Sequence, residues 1–202
     1  LGGQVHEKLR TYTYIYPDQG DVYPDEEDAE HVYVNPEHAA ERALRYVEQG
    51  FTALKFDPAG AYTVFDGGMP TGSELERSEA FMRTLREAVG PEVDLLFGTH
   101  GQFTPAGAIR LAQRIAPYDP LWLEEPVPPE NAAEMAVVAR ATSIPVATGE
   151  RLCTKYEFAR VLDEGAAAIL QLNLGRVGGL LEAKKIAALA EAKYAQIAPH
   201  LY

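Results

Sequence analysis

The chain has 202 residues, 47% hydrophobic, 24% charged and 9% aromatic, the make-up of an ordinary globular protein long enough to bury one sizeable core. Its 30 acidic residues against 18 Lys and Arg give a net charge of -12, which argues against nucleic acid as a partner, and no window approaches the ~20 apolar residues of a membrane span. The single cysteine, Cys153, excludes an internal disulfide framework and a cysteine-based zinc site; it suits a reducing, cytoplasmic setting and reads as a small buried apolar side chain.

Thr11–Tyr16 is β-branched and aromatic and reads as the first strand. The segment from Pro17 to His31 carries seven acidic residues and no Lys or Arg, which suits a solvated loop, or a lid whose charge a bound cation would offset. Asn35-Pro36 then offers an N-cap with Pro at the first helical position, and the helix runs to Gly50. Phe51–Phe56 is a strand, Ser73–Val89 a helix, Val93–Phe97 a strand and Thr104–Ile115 a helix. Leu121–Leu123, Pro145–Ala147 and Ala168–Leu172 follow as strands, separated by helices at Glu130–Ala141 and Thr154–Glu164, the latter closed by Gly165. Gly179–Lys193 is an Ala- and Leu-rich helix, and Ala195–Ala198 the last strand.

Seven strands thus alternate with six helices, which predicts an α/β fold with a parallel sheet covered by helices. Lys55, Asp57, His100, Glu124, Glu125, Glu150, Asn173 and His200 all fall at carboxyl ends of strands, and they come from six different strands. An open sheet gathers its ligand contacts at one switch point, whereas a β/α barrel draws them from many strand ends around one mouth. The barrel is therefore the expected architecture.

Glu124 and Glu150 end consecutive strands, so two carboxylates stand side by side and need a cation or a shared proton. All-oxygen ligation suits Mg²⁺. Arg151 follows Glu150 and pairs with Glu124 or with a substrate carboxylate. His100 and His200 flank the carboxylates, placed for one to take a proton and the other to give one. Lys55 reads either as an ion-pair partner of Asp57 or Glu124, or as a cation that holds a substrate carboxylate or hydroxyl.

Several strings are similar to the mandelate racemase/muconate lactonizing branch of the enolase superfamily: LWLEEPVPPE from Leu121, TGER from Thr148, QLNLGRVGGLLEAKKIA from Gln171 and IAPH from Ile197. FTALKFDPAG from Phe51 and THGQFTPAGAIRLAQ from Thr99 resemble sugar-acid dehydratases of the galactonate and gluconate type. The resemblance implies a TIM-type barrel that binds Mg²⁺, abstracts the proton α to a carboxylate, stabilises the enediolate and expels the 3-hydroxyl to give a 2-keto-3-deoxy acid. It implies Glu124 and Glu150 as metal ligands, His200 as the base, His100 as the acid toward the leaving hydroxyl, and catalytic places for Lys55 and Asn173. Asp57, Arg151 and Glu125 are then expected to meet the substrate, a small sugar acid, in a protein that is a homo-oligomer in full length. Racemisation or epimerisation of a 2-hydroxy acid, and metabolite binding without turnover, are the alternatives.

Two positions depart from the family pattern. Gly98 stands where the first metal ligand, an aspartate, is expected, and Asp94 lies ~13 Å up the strand and cannot replace it. Asn173 stands where an aspartate pairs with the base histidine; an asparagine orients His200 without a full charge. Residues 1–10 are expected to be the tail of an N-terminal capping domain and residues 11–202 an incomplete barrel, with the cap and the barrel's closing part missing.

Overall fold

The structure, a computed structural model, describes residues 3–17, 32–58 and 67–201. The acidic run of residues 18–31 lies outside them. Among the described residues seven strands form one sheet in sequential order: β1 (Thr13–Tyr14), β2 (Ala53–Phe56), β3 (Asp94–Phe97), β4 (Trp122–Glu124), β5 (Val146–Thr148), β6 (Ile169–Leu170) and β7 (Gln196–Ile197). Every neighbouring pair is parallel. The sheet curls as the wall of a TIM-type β/α barrel. The crossovers are α1 (Pro36–Glu48), α2 (Gly72–Val89), α3 (Pro105–Ile115), α4 (Ala132–Ala141), α5 (Lys155–Glu164) and α6 (Leu180–Ala192).

Helix starts follow local chemistry. Asn35 caps α1 by accepting from the N–H groups of Glu37 and His38, with Pro36 at the first position. Thr71 and Thr154 each close a reciprocal capping box, with Glu74 and Glu157. Gly165 ends α5 in a left-handed conformation at φ 65°. Cys153 is exposed rather than buried, because it belongs to the turn that caps α5: its N–H donates to Glu157 Oε2 at 3.0 Å.

The two faces of the sheet separate two cores. Leu54, Phe56, Leu95, Phe97, Leu123, Val146 and Leu170 pack outward against helix residues such as Phe81, Met82, Leu111, Met135 and Phe158. Ala53, Leu96, Trp122, Ala147 and Ile169 pack together on the inner face, joined by Tyr12. Side chains alternate along a strand, so Lys55, Gly98, Glu124 and Gln171, two residues beyond inner-face positions, also turn inward at the carboxyl end. Period thus delivers these four positions to one mouth. No described helix is long and apolar enough to cross a membrane.

Candidate active site

Glu124 is the last residue of β4 and is completely buried. One of its oxygens, Oε1, accepts from Lys55 Nζ at 2.5 Å. The other, Oε2, is buried with no hydrogen-bond donor among the described residues, as is Glu150 Oε2. Ligand atoms of His100, Glu124 and Glu150 lie within 4.8 Å of one another. Two buried carboxylate oxygens left without donors, beside an imidazole, are costly unless a cation completes them. The donor set therefore fits a divalent ion held by carboxylates, with positions left for ligand oxygens.

Lys55 is buried. Burial alone pulls its ammonium down, but Glu124 and Asp57 more than offset this and hold it above its ordinary value. Both ion-pair readings of Lys55 meet here, since it bonds Glu124 and feels Asp57. Tyr12 is a further group that the sequence did not single out. Burial raises its hydroxyl, Lys55 pulls it back, and Glu124 and Glu150 push it up again.

Glu125 follows β4 with φ 36°, a left-handed conformation unusual for a non-glycine residue, and its side chain is fully buried. Arg151 Nε donates to Glu125 Oε1 at 2.7 Å, and Arg151 Nη2 to the His100 carbonyl at 3.2 Å. Arg151 therefore pairs with Glu125 rather than Glu124, whose Oε1 accepts from Lys55. Thr99, also not foreseen, pins this turn by donating to the Glu124 carbonyl at 2.5 Å and to the Glu125 carbonyl at 3.0 Å. Gln171 is another omission. It is fully buried after β6 with neither side-chain amide atom hydrogen-bonded among the described residues, and a polar residue inside an apolar strand is the signal that marked it.

Burial pushes the Glu125 carboxyl up to about 8, against the pull of Arg151 and with help from Glu150 and Glu124. A carboxyl raised in the folded state binds its proton more tightly there than in the unfolded chain. Its contribution to stability is full below the ordinary value of 4.5 and is lost as the pH rises through about 8. Thermal melting across this window should show a falling midpoint, and Glu125→Gln should flatten that slope.

His200 pairs with Asn173 through an isolated parallel bridge. Its Nδ1 lies 3.1 Å from the Asn173 side-chain nitrogen, and its Nε2 3.4 Å from Glu150 Oε2. Burial holds the imidazole below its ordinary value, against the pull of Glu150. His100 Nδ1 lies 3.5 Å from Asp57 Oδ2. The space above Gly98 is filled by that same aspartate: a Cβ on residue 98 would fall 1.5 Å from Asp57 Oδ1. Asp94 is remote, paired with Arg10 at 2.6 Å. All nine residues expected at the mouth are within the described structure. Lys55, Asp57, His100, Glu124, Glu150, Asn173 and His200 form a connected polar cluster, while Glu125 and Arg151 form a pair against it.

Residues 38–202 match the family model described as enolase C-terminal domain-like. β1 pairs with β2, so the sheet begins ahead of the matched region. A D-xylonate dehydratase from Haloferax volcanii is 34% identical over 99% of this chain and 46% of its own length. A D-gluconate/D-galactonate dehydratase from Picrophilus torridus is 34% identical over 95% of this chain and 44% of its own length. The crystal structure of a mandelate racemase/muconate lactonizing enzyme from a Sulfitobacter species superposes with a TM-score of 0.92 at 60% identity, covering 100% of this chain and 49% of that one. The chain spans about half the length of the curated relatives it matches. Its parallel β/α order, its strand-end carboxylates and these matches place it together: the chain belongs to the enolase C-terminal domain-like family, in the mandelate racemase/muconate lactonizing enzyme branch.

Proposed function

We propose that this chain works as the catalytic barrel of a Mg²⁺-dependent sugar-acid dehydratase, a hydro-lyase that converts an aldonate to a 2-keto-3-deoxy acid. Residues 1–10 lead in from a capping domain, and residues 11–202 form barrel. The observation that carries the reading is the mouth itself, where His100 and His200 flank Glu124 and Glu150 in strand order and reach the same carboxylate cluster. Relatives named as dehydratases of xylonate, gluconate and galactonate support the substrate class.

Glu124 and Glu150 hold the cation. When bound, it supplies positive charge beside the substrate carboxylate, where negative charge develops as the α-proton leaves. Lys55 neutralises Glu124 and keeps two like charges tolerable in a buried mouth. Asp57, Arg151 and Glu125 shape the rim that meets the substrate. Removal of the α-proton and departure of the 3-hydroxyl need a proton acceptor and a hydrogen donor, and the two histidines are the groups at hand. The family resemblance gives the first task to His200, oriented by Asn173, and the second to His100.

The test is a panel of sugar acids incubated with the protein and Mg²⁺. A semicarbazide-reactive 2-keto product is expected. Solvent deuterium at the α-position with no keto product would replace the lyase by an epimerase. Neither signal, together with thermal stabilisation by a sugar acid, would leave a binding protein.

A further inference from the structure

A hydrogen bond at His200 and an ion-pair contact at His100 bear on which nitrogen of each ring carries hydrogen. The Asn173 side chain has a defined orientation, because its Oδ1 accepts from the Arg176 N–H at 3.0 Å. Its NH₂ group therefore faces His200 Nδ1, 3.1 Å away. An amide NH₂ only donates, so Nδ1 accepts, and the neutral ring carries its hydrogen on Nε2. That nitrogen faces the mouth, 3.4 Å from Glu150 Oε2 and short of a hydrogen bond to it. A base needs the opposite tautomer. The same Asp-to-Asn change beside a catalytic histidine is known to leave geometry intact while imposing the wrong tautomer.

His100 shows the reverse arrangement. Its Nδ1 faces a carboxylate oxygen, Asp57 Oδ2, at 3.5 Å. A carboxylate oxygen is an acceptor, so this contact favours a hydrogen on Nδ1 and a lone pair on Nε2. Asp57 reaches this place because residue 98 has no side chain; any Cβ there would overlap Asp57 Oδ1. The register pairs Phe56 with Phe97, so Asp57 and Gly98 are the next residues on adjoining strands. One exchange thus accounts for Asp57, Gly98 and Asn173 together: the carboxylate that steers a base stands behind His100, and an amide stands behind His200.

We propose that the two histidines have traded places relative to the family pattern, His100 acting as the base and His200 as the donor to the leaving group, with Asp57 and Asn173 as their positioning residues. This exchange rests on the dehydratase reading. His100 Nε2 takes the α-proton and the C–H electron pair moves onto the substrate carboxylate as an enediolate, from which the proton can return; the pair then forms the C2–C3 double bond as the C3–O bond breaks. The oxygen leaves as water with hydrogen from His200 Nε2, solvent carries the proton from His100 back to His200, and the enol relaxes to the 2-keto acid. A neutral imidazole N–H acting on a substrate oxygen is an established device. Because the base stands on β3's side of the mouth, the substrate's α-hydrogen must face that side, which selects the opposite α-configuration to the one His200 would accept.

The deciding experiment reads the tautomers directly, in protein labelled with ¹⁵N-histidine. His200 should show an unprotonated Nδ1 and a protonated Nε2, and His100 the reverse. Asp57→Asn should convert His100 to the Nε2–H form, and should slow α-proton exchange into deuterated water by up to about 10⁴-fold. His200→Gln should stop the keto product while exchange continues; His100→Gln should stop both. A protonated Nδ1 on His200, or exchange lost in His200→Gln and kept in His100→Gln, overturns the exchange of roles. If no sugar acid is turned over, the dehydratase reading fails by itself, and the nitrogen shifts still decide the two tautomers.

Discussion

Lys55→Met is expected to cost the fold about 3–5 kcal/mol in the absence of a divalent cation, the usual penalty for leaving one partner of a buried pair uncompensated. The Lys55 and Glu124 side chains are 7% and 0% exposed and meet at 2.5 Å, so solvent screens neither. Removing the ammonium leaves Glu124 buried with a charge and no partner, beside Glu150. A methionine fills the same length, so the loss is electrostatic more than steric. If this mouth holds a divalent ion, the same variant should be rescued by one. Millimolar Mg²⁺ should raise its melting temperature by more than it raises that of the natural protein, since the ion replaces the missing charge as well as binding the folded state. Melting curves with and without Mg²⁺ read this directly, and equal shifts in the two proteins would separate Glu124 from the cation.

Much of this site was legible because a parallel β/α barrel converts sequence order into spatial order. Once Glu124 and Glu150 were placed at the ends of consecutive strands, their proximity followed from the pairing of β4 with β5. Helix starts were legible for a local reason: Asn35, Thr104 and Thr154 carry their cap chemistry in their own side chains. The strands came out shorter than their apolar runs. Thr11–Tyr16 contributes only Thr13–Tyr14 to the ladder, and Ala195–Ala198 only Gln196–Ile197, because apolar patterning reports burial while a ladder needs a partner at matching register. What patterning could not convey was competition between neighbours. Arg151 was expected to meet Glu124 or a substrate carboxylate; Lys55 takes Glu124, and Arg151 pairs with Glu125. Cys153 looked like a core residue by composition, but its place is set by the cap that follows it. The filling of the Gly98 position by Asp57 depends on cross-strand register between β2 and β3, which no local string encodes.

That filling reverses what a simple restoration of the family pattern would do. Gly98→Asp places a carboxylate where the first metal ligand is expected, and on sequence alone it should tighten Mg²⁺ binding. In the structure its Cβ would lie 1.5 Å from Asp57 Oδ1, 2.7 Å from Asp57 Cγ and 3.1 Å from Lys55 Cε. The first two distances are far inside contact range, so Asp57 must leave, and two carboxylates then compete for one buried position. Overpacking of this kind typically costs about 1–3 kcal/mol, and like charges at close range add to it. The single variant should therefore melt earlier than the natural protein and bind Mg²⁺ no more tightly. Gly98→Asp combined with Asp57→Ala removes the clash and keeps the number of carboxylates. It should melt close to the natural protein and bind Mg²⁺ on the order of tenfold more tightly, about 1.4 kcal/mol, through one further oxygen donor. Calorimetric titration and melting of the two variants test both halves at once. A single variant as stable as the natural protein would show that Asp57 does not occupy the Gly98 position, whereas a double variant with no gain in affinity would place the cation out of reach of residue 98.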